Sequence, residues 1–366
     1  MRKLRLAILD RYIIRKYLTT FFFTMILITV VAITINYFEQ VDRFQDSGLP
    51  FSKIAMGFYL HFIPWINGLL WPLFALIAVI FFTSRMAKNS EIISMLSAQI
   101  SYHRILRPYL IAGGILAVLL WIGNNYIIPK SNRLKYEFES EFIRAAAKTT
   151  LSGNTHFFLD PNQKIYIRNY SPEDSTGRTF RLERFKDGEL VYVMKANKIT
   201  WIGPPDRWRV DHYEVRKFDG IREHLILYPN KTLDTSFQFV PDDFIRYTNQ
   251  MEMMNTTDLR DFLKYEQAKG LDSGKKYQIE LYRRTADPFT IIILTIIGVS
   301  VASRKVRGGM GLHLAVGIIL GAIFVILSKF STTFSTNLAL HPLIGVWIPN
   351  LIFSAVAWYM VKKAQQ

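Results

Sequence analysis

Five long runs of this chain contain no Asp, Glu, Lys or Arg: 17–38, 54–84, 108–129, 308–328 and 330–361, with a shorter one at 288–303. A helix needs about 20 apolar residues to cross a hydrocarbon core roughly 30 Å thick. Four of the long runs each suit one span. The run 330–361 is longer than one helix needs, and its first third is polar (Ser331-Thr332-Thr333, Ser335-Thr336-Asn337). The pattern predicts a short loop there and a span over 342–361. The fold class that follows is a polytopic membrane protein of six transmembrane helices with one inserted polar domain. Residues 1–129 hold helices one to three, 130–283 the insert, and 284–366 helices four to six.

Lys and Arg in short loops mark the cytoplasmic side of a membrane protein. The N-terminal arm carries Arg2, Lys3, Arg5, Arg11, Arg15 and Lys16, and the loop after span two carries Arg85, Lys88, Arg104 and Arg107. Arg304, Lys305 and Arg307 follow span four, and Lys362 and Lys363 close the chain. The opposite short loops hold only Arg43 and Lys53, offset by Glu39, Asp42 and Asp46. Both termini are therefore expected in the cytoplasm and the insert outside it. The net charge of +16 is chiefly a topology signal, with anionic headgroups as partners, and is poor support for nucleic-acid binding. The absence of Cys excludes disulfides and thiolate metal sites. Span one is too long for a signal-peptide core and lacks a small-residue cleavage site.

The insert reads as mostly β. Alternation shows at Lys164–Arg168, Thr179–Glu183, Leu190–Met194 and Trp208–Asp211, between turn signals at Asp187-Gly188, Pro204-Pro205-Asp206 and Asp219-Gly220. Short strands so spaced suggest a sandwich, jelly roll or open barrel. A charged helix over 132–148 is expected to continue span three, and a second helix to run from Thr256 to about Ala268, ended by Gly270.

Motifs for catalysis are missing. Gly308-Gly309-Met310-Gly311 lacks a phosphate-loop lysine, no H-E-x-x-H occurs, and the seven His are scattered. No catalytic residue, cofactor or metal is expected. The spans are also expected to hold no buried carboxylate, Asp287 lying at a span edge, so ion coupling lacks its usual group and energy must come from another subunit. Two features invite a sharper reading. An amphipathic helix over about 86–101 places Ile92, Leu96 and Ile100 on one face. Asn89 or Ser90 can cap it, and Glu91 suits its first turn. It either rests on lipid or couples to a soluble partner. Lys329, deep in span five, either snorkels to the headgroups or faces a cavity. Gly317-x-x-x-Gly321 on that span reads as close helix packing.

With these residues in order, the chain resembles the LptF/LptG permeases, membrane subunits of the lipopolysaccharide-extracting ABC transporter. Leu9-Asp10-Arg11-Tyr12-Ile13 opens it as in that family, and Ser90-Glu91-(x)3-Met95 is similar to the coupling-helix motif. Gly270-Leu271-Asp272, Glu280-Leu281-Tyr282-Arg283-Arg284 and Asp287-Pro288-Phe289 resemble the return into span four. Arg307-Gly308-Gly309-(x)-Gly311 and Trp347-Ile348-Pro349-Asn350 resemble the last two spans. The family usually has Gly at the position of Gln99 and His at that of Tyr282.

The resemblance implies a six-span subunit of the bacterial inner membrane whose periplasmic domain is a β-jellyroll. It implies a second LptF/LptG-type permease, an LptB-like ATPase dimer on the cytoplasmic side and an LptC-like periplasmic bridge. Lipopolysaccharide would enter from the outer leaflet between spans one and five. Glu91 would pair with an Arg of the ATPase, with Ile92, Met95 and Leu96 in the same contact. Lys329, Arg43 and Lys53 are candidates for lipid A phosphates on charge and depth alone; no motif carries them over. A different class remains open: a membrane scaffold that transports nothing and whose β domain binds a periplasmic partner.

Overall fold

The computed structural model describes residues 7–143, 148–150, 155–160, 162–186, 188–220, 222–237, 239–241, 245–247, 250–268, 274–304, 309–337 and 340–364. Gly270, Asp187 and the basic residues Arg2, Lys3, Arg5, Lys305 and Arg307 lie outside them. The chain divides into a helical unit (residues to 138, 252–256 and from 275) and a β unit (139–251 and 257–274).

Six helices in the structure are long and apolar enough to span a membrane: α1 (Ile8–Asp46), α2 (Phe51–Lys88), α4 (Tyr102–Phe142), α6 (Gly274–Ala302), α7 (Gly309–Asn337) and α8 (Pro342–Ala364). Between α2 and α4 lies the short α3 (Glu91–Ser97). Helix α2 is the hub of the helical unit. Phe21 of α1 packs on Trp71 and Phe74, with ring centroids 4.9 and 6.4 Å away. Thr29 donates to Asn67 at 2.6 Å. The glycine pair of α7 also meets α2: a Cβ at Gly321 would stand 3.0 Å from Leu73, and one at Gly317 would collide with Ile80. The close packing expected from that pair is what the structure shows. Burial is uneven. Of the apolar stretch of α6, 61% is buried, against 11% for α1 and 22% for α7.

Three expectations change. The predicted loop at 331–341 is helix as far as Asn337. Its hydroxyls fold back onto the preceding turn: Thr332 on Ser328 O (2.9 Å), Thr333 on Lys329 O (2.8 Å) and Thr336 on Thr332 O (2.9 Å). Polar residues that bond carbonyls four back do not need solvent. Ser331 goes further and donates to Gly345 O of α8 at 2.5 Å. Second, the helix expected over 132–148 ends earlier; Lys148–Thr150 is strand β1. Third, the amphipathic helix of about 86–101 is only Glu91–Ser97, because α2 claims residues through Lys88. The helix expected from Thr256 to Ala268 is present and is α5.

The β unit contains an antiparallel sheet in sequential order: β2 (Thr155–Asp160), β3 (Gln163–Ser171), β4 (Thr176–Lys186), β5 (Glu189–Gly203), β6 (Arg207–Asp219) and β7 (Arg222–Ser236). β1 pairs with β8 (Ile245–Tyr247). A jelly roll needs two Greek keys in facing sheets. Among the described residues the six strands form a meander instead.

The meander is creased. Inward residues alternate at Ile165 and Ile167, then jump to Tyr170. The same one-residue slip separates Phe180 from Gly177, Ala196 from Ile199, and Tyr213 from Val210. The outward doublets at the slip, Arg168-Asn169, Arg178-Thr179, Asn197-Lys198 and Asp211-His212, align across four strands. Thr179 (φ 56°) and His212 (φ 50°) take left-handed backbone there, as extra residues in bulged strands do. Both sides of the crease contribute to one core. Phe237 and Phe239, beyond β7, fill it against Phe180 (5.2 Å) and Trp208 (4.8 Å). Trp208 Nε1 donates to Phe239 O at 3.0 Å.

Candidate functional site

Helix α3 is held by its ends. Ser90 adopts φ 61° and makes no side-chain cap, so the expected capping does not occur. Asn89 instead donates to the Glu91 carboxylate at 3.3 Å, as does Tyr12 OH of α1. At the other end Gln99 N bonds Leu96 O (2.9 Å) and Ile100 N bonds Met95 O (3.1 Å). This is a Schellman closure, whose left-handed position favours glycine; Gln99 occupies it at φ 61°. Ile92 is only 1% exposed and Met95 packs on the bundle core. The expected contact set is thus divided: Ile92 and Met95 face inward, while Leu96 and Ile93, 44% and 45% exposed, face outward. Next to it, Arg104 grips Asp10 with both guanidinium nitrogens, at 2.5 and 2.9 Å, joining the start of α4 to the start of α1.

The second constellation lies on α6. Glu280, Arg283, Arg284 and Asp287 recur at i, i+3, i+4 and i+7 and so share one helix face. Glu280 is 8% exposed and Arg284 2%. Glu280 lies ahead of the charge-free run 288–303, in the charged first half of α6, and so outside the stretch expected to hold no carboxylate. A buried carboxylate needs a partner, and Glu280 has two: Arg283 at 2.8 Å and Arg284 at 3.2 Å. Arg284 also donates to Thr256 Oγ1 (3.1 Å) and Met254 O (2.8 Å). Glu252 accepts from Trp65 Nε1 (3.2 Å) and Tyr136 OH (3.4 Å), and Asn132 donates to its backbone carbonyl at 3.2 Å. Lys135 Nζ lies 4.0 Å from the Trp65 ring centroid. Residues 252–256 are thereby pinned to α2, α4 and α6.

A cavity of about 180 Å³ opens beside this network, lined by Glu252, Glu280, Arg283, Asp287 and Lys329 among others. A second, more apolar cavity of about 160 Å³ shares Arg283, Asp287 and Lys329 and adds Leu73, Phe324 and Val325. Lys329 is exposed and lines both cavities. Arg43 and Lys53 are exposed and are not among the lining residues of either. The α6 cluster is the feature that sequence reasoning missed. Its residues served there as a family likeness, although their spacing already placed four charges on one face. Among the described residues no three His, Asp or Glu cluster as a metal site.

Residues 11–363 match the family model described as lipopolysaccharide export system permease LptF/LptG. The chain belongs to the LptF/LptG family. Lipopolysaccharide export system permease protein LptG of Escherichia coli (strain K12) is 17% identical over 98% of this chain and 99% of its own. LptG of Haemophilus influenzae is 19% identical over 97% of this chain and 98% of its own. This LptF/LptG permease is a multi-pass membrane protein of the lipopolysaccharide export system.

Proposed function

We propose that this permease extracts lipopolysaccharide from the outer leaflet of the bacterial inner membrane and passes it toward a periplasmic bridge. It works with a second LptF/LptG-type subunit, an LptB-like ATPase dimer and an LptC-like protein. One observation carries the reading: α1 and α7 both pack on α2, yet leave most of their apolar length uncovered. Lipid alone can cover such faces, but two of them on helices that share one hub suit a lateral entrance for acyl chains and a partner permease. Lys329, exposed on α7 beside the acid–base cavity, supplies a cation for a lipid phosphate. Held in hydrocarbon alone it would cost about 2.5–3.5 kcal/mol at the bilayer centre on insertion scales, and less toward the interface. A wet cavity lowers that cost.

Energy enters through α3. Glu91 stays partly exposed beside the outward Leu96 and Ile93, an arrangement that suits a cleft on a cytoplasmic ATPase. The orientation with both termini in the cytoplasm rests on the distribution of Lys and Arg.

The test places a photo-crosslinker at Phe330 in the permease co-purified with its ATPase. Lipopolysaccharide is the expected adduct, and Lys329→Glu lowers extraction more than Lys329→Gln does. Adducts with bulk phospholipid only, with no ATPase co-purifying, would overturn the transport reading. Equal behaviour of the two substitutions would remove Lys329 from the phosphate contact and leave the rest standing.

A further inference from the structure

A cavity of about 800 Å³ lies in the β unit, on the outward side of the creased sheet. That size suits a small organic ligand. Its floor is one cross-strand row: His156, Tyr166, Arg181, Lys195, Glu214 and Leu227 are successive register partners from β2 to β7. The crease supplies its wall, with Arg168, Thr179, Asn197 and His212.

Two features of the row need explaining. Arg181 and Lys195 stand directly opposite each other on β4 and β5, a like-charge pairing that destabilises a sheet. Arg181 is balanced by Glu183, two residues along its own strand, at 3.0 Å, and Lys195 by Glu214, its register partner on β6, at 3.4 Å. Arg181 is also held over the Tyr166 ring, 5.4 Å from its centroid, and His156 closes the far side of that ring at 4.5 Å. The guanidinium is therefore positioned rather than free to swing away. Arg168 adds a third cation from the crease.

We infer that this cavity binds an anionic saccharide, its phosphate or carboxylate seated between Arg168, Arg181 and Lys195 and its hydroxyls on Thr179, Asn197 and Glu214. Arg and Lys bind such anions through charge-assisted bonds. The carboxylate of Glu214 and the amide of Asn197 accept from hydroxyls as readily as they complement cations. The Tyr166 ring, Leu227, Tyr228 and Pro229 line the rest of the cavity and can pack on the apolar faces of sugar rings. The carboxylate among the cations disfavours a polyanion such as nucleic acid. The inference deepens the transport reading, since such a saccharide is either the head of a lipid or a free sugar phosphate.

The full permease complex in detergent is titrated calorimetrically with three probes: de-acylated lipopolysaccharide saccharide, glucosamine 6-phosphate and neutral maltotetraose. Either charged probe should bind, more weakly at high salt, and maltotetraose should not. Tighter binding of the de-acylated saccharide points to the lipid-borne source, and tighter binding of glucosamine 6-phosphate to the free one. Arg168→Gln combined with Lys195→Gln should lose at least tenfold in affinity while its tryptophan fluorescence stays that of the folded sheet, and Lys195→Arg should retain binding. Maltotetraose binding as tightly as the charged probes, a polyglutamate peptide displacing them equally well, or no loss in the double variant would overturn the inference. The Phe330 crosslink, read on the same double variant, is a separate measurement on the helical unit, so failure of one reading is distinguishable from failure of the other.

Discussion

Gln99 and Glu91 bound α3, and each carries a prediction. Gln99 holds a left-handed position in a Schellman closure, which costs a residue with a Cβ about 1–2 kcal/mol. Gly removes that strain but returns roughly 0.4–1 kcal/mol through unfolded-chain entropy. Gln99→Gly should therefore raise protection of the Met95–Ile100 amides against hydrogen exchange by a factor of roughly 2–5, about 0.5–1 kcal/mol. Gln99→Val should lower it. The opposite order would show that contacts of the Gln99 side chain, not its backbone, set the helix end. Glu91 is engaged by Tyr12 and Asn89 and keeps room for a guanidinium, a charge-assisted bond worth about 1.5–3 kcal/mol. Glu91→Lys should weaken ATPase co-purification and uncouple hydrolysis from lipid release, with membrane insertion intact. Normal coupling in the purified complex would remove Glu91 from that contact.

Among the elements, α6 concentrates the chemistry. Arg284 serves Glu280, Thr256 and Met254 at once. Removing one partner of a buried pair leaves an uncompensated charge, at about 3–5 kcal/mol. Arg284→Ala should lower the thermal midpoint of the detergent-solubilised permease by several degrees and loosen residues 252–256, read as a gain in proteolytic cleavage there. Arg284→Lys should recover little, because one ammonium cannot reach three acceptors from a single stem. An unchanged midpoint in both variants would mean the network is not load-sharing. The sequence made α6 visible as a helix and its charged face readable by spacing. It hid two other things. The hydroxyl-rich end of α7 looks like a loop until Ser331 is seen bonding Gly345, a partner no local pattern reveals. The crease was hidden because a one-residue slip in a single strand looks like noise. Only the alignment of the slips at Arg168, Thr179, Asn197 and His212 across four strands gives them meaning, and alignment is a property of register.

At the scale of the whole molecule, the six spans were legible because lipid forbids charge over whole helix lengths, a constraint that acts on every residue of a run. Which helices stay uncovered was not legible: α1 and α6 are both apolar over a span's length, and packing alone separates 11% from 61% burial. Orientation is the remaining global property, and it rests on the basic residues near the span ends. The chain has no Cys, so single cysteines report without background. A cysteine replacing Asp219, the exposed last residue of β6, should be labelled by a membrane-impermeant thiol reagent in intact spheroplasts. One replacing Lys88, at the end of α2, should be labelled only after lysis. Short loops are counted for this expectation and long domains are not, because long domains cross regardless of charge. Moving basic residues should therefore matter where their number in the β unit should not. Replacing Arg85, Lys88, Arg104 and Arg107 together by Gln should lower the fraction of molecules with Lys88-side loops protected, whereas neutralising four cations of the sheet should leave it unchanged. Labelling at residue 88 but not at 219 in the otherwise unaltered chain would invert the molecule, and would place α3 out of reach of any ATPase.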